Sequence, residues 1–170
     1  MRSRAYGLTV ALFIFLLDQL TKWWVTGPLG VDRIGDQKYI LSIFNFTFTE
    51  NNGISLGLLN AETEVGRWML VILTAAIAIG VAVWIGREKL RGDQFALGLI
   101  LGGAIGNILD RIRFGYVVDF ADLHFGEFRP FLIFNVADAA ISIGVAILLL
   151  RAFVAWLRER RLPKESEEHA

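Results

Sequence analysis

The sequence predicts an all-α membrane protein: a four-transmembrane-helix bundle with a small extracytoplasmic β-sheet formed by the first outer loop. Hydrophobic residues make up 55% of the chain, and the mean hydropathy is +0.52, which is high for a soluble protein. Four apolar runs reach, or nearly reach, the roughly 20 residues that a helix needs to cross a bilayer. Charged residues that interrupt these runs need a separate explanation.

The four apolar runs occupy residues 6–25, 68–85, 95–109 and 131–150. The first run is followed by no small-residue cleavage site, so we expect a retained span rather than a signal peptide.

One domain is expected over residues 1–162, followed by a disordered cytoplasmic tail over 163–170. Its predicted transmembrane spans are about 6–25, 67–86, 94–112 and 131–155.

Lysine and arginine residues predict the orientation of the chain. Ten of the 17 basic residues lie in segments 1–5, 86–94 and 151–170. Because basic residues concentrate on the cytoplasmic side, both termini and the short middle loop are expected in the cytoplasm. The two longer loops, 26–67 and 110–130, are then expected to face outward.

Composition excludes several classes of site and partner. The formal net charge is zero, which gives no indication of nucleic-acid binding. The chain has no cysteine, so disulfides, thiol catalysis and cysteine-ligated metals are excluded. The two histidines, His124 and His169, are too few and too far apart for a metal cluster. No metal and no cofactor are expected.

The first outer loop shows the alternation typical of a strand. Phe44, Phe46 and Phe48 alternate with polar residues, which gives the strand one apolar face. That face would rest on the lipid surface or pack on the helix ends, and the pattern fits both. The following "ENNG" is typical of a turn.

Glycines in the third run predict close helix packing. Gly98, Gly102 and Gly106 recur every four residues, a spacing that lets helices approach closely in lipid. This packing face places Asn107 beside a neighbouring helix.

Polar residues also cluster in the first and third runs. Asp18 and Lys22 are four residues apart and can form an ion pair on one helix face, with Lys22 extending outward. Asn107, Asp110 and Arg111 gather at the outer end of the third run. A structural role is the simpler interpretation of both groups, and a direct chemical role is the alternative.

Asp119 and Asp138 are the candidate catalytic residues. Asp138 is expected seven residues into the fourth helix, about 10 Å below the outer face. The preceding loop is short enough to fold Asp119 over the mouth of that helix. Two carboxylates in an apolar site share one proton, so one can activate water while the other donates to a carbonyl oxygen. A proton relay and a purely structural polar network remain alternatives.

Four motifs carry a resemblance to a known family. They are "LDQLTKWW", "ENNGISLG", "GNILDRIRFGYVVDF" and "FNVADAAISIG". In this order, over about residues 8–150, the chain closely resembles the lipoprotein signal peptidases (signal peptidase II) of bacteria.

The resemblance implies an intramembrane aspartic endopeptidase with four helices and a small outer sheet. It implies that the enzyme cleaves diacylglyceryl-modified prolipoproteins on the N-terminal side of the lipidated cysteine. Asp119 and Asp138 match the catalytic aspartates of the family. The supporting or substrate-binding residues that match are Asp18, Lys22, Asn51, Gly53, Asn107, Asp110, Arg111 and Asn135.

The resemblance also predicts the setting of the enzyme. We expect a monomer in the bacterial inner membrane, in contact with membrane lipid, with its active site near the outer face. Leu56 stands where the family pattern has an aromatic residue, a departure that concerns contacts with the substrate.

Two other classes of function compete with the peptidase. A small proton-coupled transporter would use the buried Asp18, Asp110 and Asp138 as a relay. Against it, the polar residues gather near the outer side, and the second run has no charge between residues 68 and 85. A purely structural protein would give Asp119 and Asp138 no chemical purpose.

Overall fold

Four long helices form most of the molecule. The computed structural model describes residues 2–53 and 63–161. Its helices are α1 (Arg2–Thr26), α2 (Glu64–Arg87), α3 (Arg91–Arg113) and α4 (Val136–Arg161). All four are long and apolar enough to cross a membrane. Together with the sheet described below, they confirm the predicted fold class. The expected tail and Leu56 lie outside the described residues.

Helix α3 lies at the centre of the bundle. Within its most apolar window 56% of residues are buried, compared with 28% or less in the other three helices. Glycines explain how its neighbours come so close. A Cβ atom added at Gly98 would lie 2.6 Å from the carbonyl oxygen of Gly7 in α1, and one at Gly103 would lie 2.5 Å from that of Ala137 in α4. The predicted glycine face is therefore a packing face.

Three antiparallel strands form the sheet, in the order β1 (Gln37–Leu41), β2 (Phe44–Asn51) and β3 (Val117–Leu123). The aromatic face of β2 packs on the end of α1. The rings of Phe46 and Trp24 meet edge to face at 5.8 Å, and Phe48 is buried in a cluster with Val25. Of the two placements left open by the sequence, the structure has the sheet packed on the helix ends.

The third strand was not predicted from the sequence. It comes from the second outer loop and carries Asp119, which pairs with Thr49 across the sheet. The strand has no alternating pattern because both of its faces are covered, and six of its seven residues are buried. A short buried strand of this kind shows no period of two.

Helix α4 begins later than expected. It starts at Val136, so Asp138 is its third residue rather than its seventh. Residues 131–135 instead run beside β3, where Phe134 and Ala121 form an antiparallel bridge. Asp138 therefore lies in the first turn of its helix, where unpaired backbone N–H groups favour negative charge.

Replacing Gly98 by alanine should lower the stability of the bundle. The new Cβ would lie 2.6 Å from the carbonyl oxygen of Gly7 and 2.8 Å from Cβ of Val10, so α1 and α3 must separate, at about 1–3 kcal/mol. Thermal unfolding in detergent measures the effect. Gly80→Ala is the matched control, because no described heavy atom lies within 4 Å of the added Cβ. Equal unfolding temperatures for the two variants would contradict the close helix contact.

Candidate active site

Asn135 joins the two candidate catalytic carboxylates. Its side-chain Nδ2 donates to Oδ1 of Asp119 at 2.6 Å, and its backbone N–H donates to Oδ2 of Asp138 at 3.4 Å. Both aspartates therefore lie within one hydrogen bond of the same residue. The chain brings them together because β3 and the start of α4 pair through Ala121 and Phe134.

Asn135 and Asp138 also cap helix α4. Oδ1 of Asn135 accepts the backbone N–H of Asp138 at 2.9 Å, while the Asp138 carboxylate accepts the backbone N–H of Asn135. This reciprocal pair is a capping box with asparagine at the cap and aspartate three residues later. The cap fixes the Asp138 side chain among backbone and side-chain donors at the N-terminal end of the helix, which favours negative charge.

Asn51 and Asn107 each hold one of the two carboxylates from a different element. Asn51, at the end of β2, donates from Nδ2 to Oδ2 of Asp119 at 2.9 Å. Its own Oδ1 accepts the backbone N–H of Gly53 at 2.9 Å. Gly53 adopts φ +101° in that turn, a conformation that favours glycine. Asn107, in α3, donates from Nδ2 to Oδ1 of Asp138 at 2.8 Å.

Lys22 connects the residues behind the carboxylates. The side chain is buried and points inward instead of extending outward as expected. Its Nζ lies 2.8 Å from Oδ2 of Asp18 and 2.7 Å from Oδ2 of Asp110, and it donates to Oδ1 of Asn107 at 3.3 Å. Two buried carboxylates outweigh the gain from hydrating the ammonium, so Lys22 stays inside.

The two partners of Lys22 fasten the segments that carry the candidate catalytic residues. Oδ1 of Asp18 accepts the backbone N–H of Ala137 at 3.0 Å, next to Asp138. Oδ2 of Asp110 accepts the backbone N–H of Val118 at 3.2 Å, next to Asp119. Each aspartate thus ties a neighbouring backbone to the lysine.

Glycine spacing admits Asp18 to this cluster. A Cβ added at Gly106 in α3 would lie 2.5 Å from Oδ2 of Asp18. Only a residue without a side chain leaves room for the carboxylate of α1 at this point.

Gln19 belongs to the network and was missed in the sequence. Its Nε2 donates to Oδ2 of Asp18 and to Oδ1 of Asp110, each at 3.1 Å. The available signal was its position three residues before Lys22 on the same helix face. Being next to Asp18 in sequence, it looked like an ordinary polar neighbour.

Arg111 lies close to the carboxylates, but among the described residues it forms no ion pair as short as those of Lys22. Its Nη1 donates to the backbone oxygen of Asn107 at 3.4 Å. Its Nε is buried and has no hydrogen-bond partner among the described residues. The positive charge interacts with Asp138, Asp119 and Asp110. It therefore supplies a cation near the site whose donor capacity is not fully used.

Two cavities border the site. An apolar cleft of about 380 Å³ runs along the start of α4, and Asp138 is its one charged lining residue. A second cavity, of about 230 Å³, is lined by both polar and aromatic side chains and reaches Lys22 and Asp110. Asp138 is thus accessible from the apolar cleft, and the lysine network from the second cavity.

An ion pair holds the loop that forms one wall of the apolar cleft. Arg129 donates from Nε to Oδ1 of the buried Asp122 at 3.0 Å and from Nη2 to Oδ2 at 3.3 Å. Thr47 donates to the same carboxylate at 3.2 Å. This pair pins the loop that leads to Phe131, which lines the cleft. The sequence analysis had not identified it.

Burial changes the protonation of Asp119. Loss of solvent contact, together with the nearby charge of Asp138, raises the pKa of Asp119 from 3.8 to about 7. Hydrogen bonds from Asn51 and Asn135 act in the opposite direction, but they do not outweigh the burial. At pH 7 about half of the molecules therefore carry a proton on Asp119, which they are able to donate.

The structure thus assembles nine of the predicted site residues in one hydrogen-bonded or charged cluster, with Gly53 attached through Asn51. They come from α1, the end of β2, the outer part of α3, β3 and the start of α4. No group of three potential metal-ligand side chains is found within residues 2–53 and 63–161. The chemistry available in the described site is that of carboxylates, amides and cations.

Comparison with known proteins identifies the family. The model of the family "Signal peptidase (SPase) II" matches residues 10–154. The chain belongs to the signal peptidase II family. It is therefore a peptidase, and the four apolar helices make it a multi-pass bacterial membrane protein. The resemblance found in the sequence is confirmed.

Individual relatives agree with the family model. A lipoprotein signal peptidase of Sphingopyxis alaskensis is 57% identical over 149 residues, covering 88% of this chain and 86% of the relative. One from Caulobacter vibrioides is 40% identical and covers 93% and 91%. A solved bacterial membrane enzyme, determined by the in meso method at 2.3 Å, superposes with a TM-score of 0.72 at 30% identity. That superposition covers 95% of this chain and 93% of the other.

Replacing Asp119 by asparagine should stabilise the fold increasingly as pH rises. Since the pKa of Asp119 is about 7 in the folded state and 3.8 in the reference state, the folded form binds the proton more tightly. Wild-type stability then falls as pH increases from about 3.8 to 7. Asparagine stays neutral throughout. We expect the difference in unfolding temperature, variant minus wild type, to grow between pH 5 and pH 8. A constant difference would contradict the raised pKa.

Proposed function

We propose that the protein is an aspartic endopeptidase that removes signal peptides from diacylglyceryl-modified prolipoproteins. It would cleave the peptide bond on the N-terminal side of the lipidated cysteine. The observation that carries this proposal is the arrangement of Asp119 and Asp138 around Asn135, which hydrogen-bonds to both. Family membership and the names of the relatives supply the substrate class.

The two carboxylates have environments suited to different roles. Asp138 lies in the first turn of α4, at the helix end that favours negative charge, and accepts bonds from Asn107 and Asn135. Asp119 lies in a covered strand, where its pKa of about 7 lets it carry a proton at neutral pH. We therefore assign Asp138 as the base and Asp119 as the acid of the first step.

The reaction follows from these assignments. Asp138 takes a proton from water as the water oxygen bonds to the scissile carbonyl carbon, and Asp119 gives its proton to the carbonyl oxygen. A neutral gem-diol results. In the second step Asp138 gives its proton to the amide nitrogen, Asp119 recovers a proton from a gem-diol hydroxyl, and the C–N bond breaks. The products are the signal peptide and the lipidated N-terminal cysteine.

The remaining predicted residues are assigned supporting roles. Asn51, Asn107 and Asn135 orient the two carboxylates, while Asp18, Lys22 and Asp110 hold the backbones beside them. Gly53 forms the turn that places Asn51. Arg111 is assigned to stabilise negative charge near the dyad, because its cation faces both aspartates with unused donor capacity.

We also propose the orientation and setting of the enzyme. Both termini would be cytoplasmic and the dyad near the outer face, which the distribution of lysine and arginine favours. The enzyme would act as a monomer in the inner membrane. The apolar cleft beside Asp138 lies along the start of α4. Most residues in the apolar window of α4 are not buried inside the protein. A substrate whose lipid stays in the bilayer could then reach the carboxylate.

The transporter alternative is not favoured. Family membership points to a peptidase, and Asp18, Asp110, Asp119 and Asp138 gather in one cluster rather than in a series along a path. Catalysis in detergent, where no gradient exists, separates the two functions directly.

Replacing either Asp119 or Asp138 by asparagine should abolish cleavage. Loss of a positioned acid or base costs about 10²–10⁴ in rate, and here the two act as a unit. The measurement is cleavage of a diacylglyceryl-modified precursor in detergent micelles, with chelator present and with folding verified by thermal unfolding. Asp36→Asn, a carboxylate of the first outer loop that accepts backbone N–H groups of its own turn, is the matched control and should cleave normally. Wild-type rates in either folded dyad variant would overturn the assignment.

Replacing Asn51 by alanine should move the basic limb of the pH–rate profile upward. Asn51 donates to Asp119 and stabilises its ionised form, so its loss raises the pKa of Asp119 further. A hydrogen bond to a charged group is worth enough to shift the limb by about one pH unit. The quantity to measure is kcat/KM between pH 5 and pH 9. Asn52→Ala, at the exposed neighbouring position, is the control. A limb that stays in place or moves downward in Asn51→Ala would contradict the assignment of Asp119 as the acid.

A further inference from the structure

The side-chain amide of Asn107 has an NH₂ group and an oxygen, and each of them must face the correct partner. Its Nδ2 donates to Oδ1 of Asp138 at 2.8 Å. Its Oδ1 accepts from Nζ of Lys22 and from Nδ2 of Asn135, both at 3.3 Å. An amide turned by 180° would direct its oxygen at the Asp138 carboxylate, and the two negative groups would repel each other. Something must therefore fix the orientation of this amide.

Of the two groups that donate to Oδ1 of Asn107, Lys22 is the stronger. Asn135 divides its Nδ2 among three acceptors, of which Oδ1 of Asp119 is the nearest at 2.6 Å. Lys22 contributes a full positive charge in a buried setting, where charge-assisted bonds are roughly twice as strong as neutral ones. An ammonium has only donors, so it accepts no bond from the NH₂ end of the amide.

The two carboxylates beside Lys22 would affect the Asn107 amide if the ammonium were absent. Asp18 and Asp110 place carboxylate oxygens 2.8 Å and 2.7 Å from the ammonium. If the ammonium were absent, these carboxylates would face the Asn107 amide directly and would attract its NH₂ end. The amide would then turn away from Asp138. The same two carboxylates that hold Lys22 in place would compete with Asp138 in its absence.

We propose that Lys22 is a positioning residue that locks the Asn107 side chain in the orientation that donates to Asp138. The inference rests on the proposed dyad and adds a specific role for a lysine that does not itself reach the reacting atoms. It predicts that Lys22 acts on turnover rather than on substrate affinity, because it acts through groups that hold the dyad and not through contacts with the substrate.

The cavity behind the lysine allows a direct test by chemical rescue. Lys22 and Asp110 line a space of about 230 Å³, and truncation of the lysine to alanine enlarges it. A small alkylammonium ion can enter this space and replace the lost donor. Tetramethylammonium carries the same charge without an N–H group, so it neutralises the carboxylates but cannot hold the amide.

The experiment compares Lys22→Ala with wild type in detergent micelles, using the diacylglyceryl-modified precursor. We expect kcat to fall by about 10²-fold, while KM changes by less than about threefold. Ethylammonium should restore kcat by about tenfold, and tetramethylammonium should not restore it. Unchanged kcat in the folded variant, or equal rescue by both ions, would overturn the proposal.

A double variant tests whether Lys22 acts through Asn107. If it does, kcat of Lys22→Ala/Asn107→Ala should nearly equal that of Asn107→Ala alone, because the lock has nothing left to hold. Independent, multiplying losses would overturn the proposal. If Lys22→Ala does not fold, Lys22→Ala/Asp110→Asn replaces it throughout, since it removes one positive and one negative charge together and keeps the space for the alkylammonium ion.

Failure of the lock and failure of the dyad give different results. If Asp138→Asn is inactive while folded Lys22→Ala is fully active, the proposed role of Lys22 is wrong and the dyad assignment stands. An active, folded Asp138→Asn removes the dyad, and the proposed role of Lys22 with it.

Discussion

The buried ammonium of Lys22 is the constraint on which the rest of the site depends. It is 5% exposed, and its two carboxylate partners are 0% and 1% exposed. An uncompensated charge in such a place costs several kcal/mol, so all three groups must be present together. Through Asp18 the charge holds the start of α4, and through Asp110 it holds β3. The start of α4 and strand β3 are thereby attached to the same ammonium group.

The bundle supplies the space that this charged cluster needs. Glycines along α3 bring α1 and α4 close enough for short side chains to meet across the interfaces, and Gly106 leaves room for Asp18. Close packing and buried polarity are thus linked, because a wider gap would admit lipid or water between the partners. The sheet completes the enclosure by covering Asp119 on both faces of its strand. Burial then gives Asp119 and Asp138, which are chemically identical side chains, different environments.

Much of the site was predictable because polar residues in apolar runs are expensive and therefore stand out. Asp18, Lys22 and Asp138 are conspicuous for this reason alone, and they lie in the cluster as expected. Gln19 was missed because an uncharged amide at a helix surface does not stand out in the sequence. The ion pair between Asp122 and Arg129 was missed because both residues lie between the predicted third and fourth spans, where charges are ordinary.

The fold was predictable where a period or a length carries the signal, and less so elsewhere. Helices of more than 20 residues and the alternating strand β2 follow from hydropathy and spacing. Strand β3 shows no alternation because its surroundings cover both faces, a tertiary effect that one segment does not reveal. The start of α4 was placed too early because Phe131, Leu132 and Ile133 are apolar yet lie before the helix, next to Phe134, which bridges to Ala121 of β3. The residue that marks the true start is Asn135, a helix cap.

The cap of α4 has a consequence for how this enzyme can change. Asn135 and Asp138 close the first turn of the helix with the same atoms that position the proposed catalytic carboxylate. A substitution at either residue therefore disturbs helix geometry and chemistry at once, and no compensating change elsewhere restores both. An inhibitor whose polar groups bond to this pair would engage atoms that a resistant variant has little freedom to replace. Resistance would have to arise in the walls of the cleft, where side chains contribute shape alone.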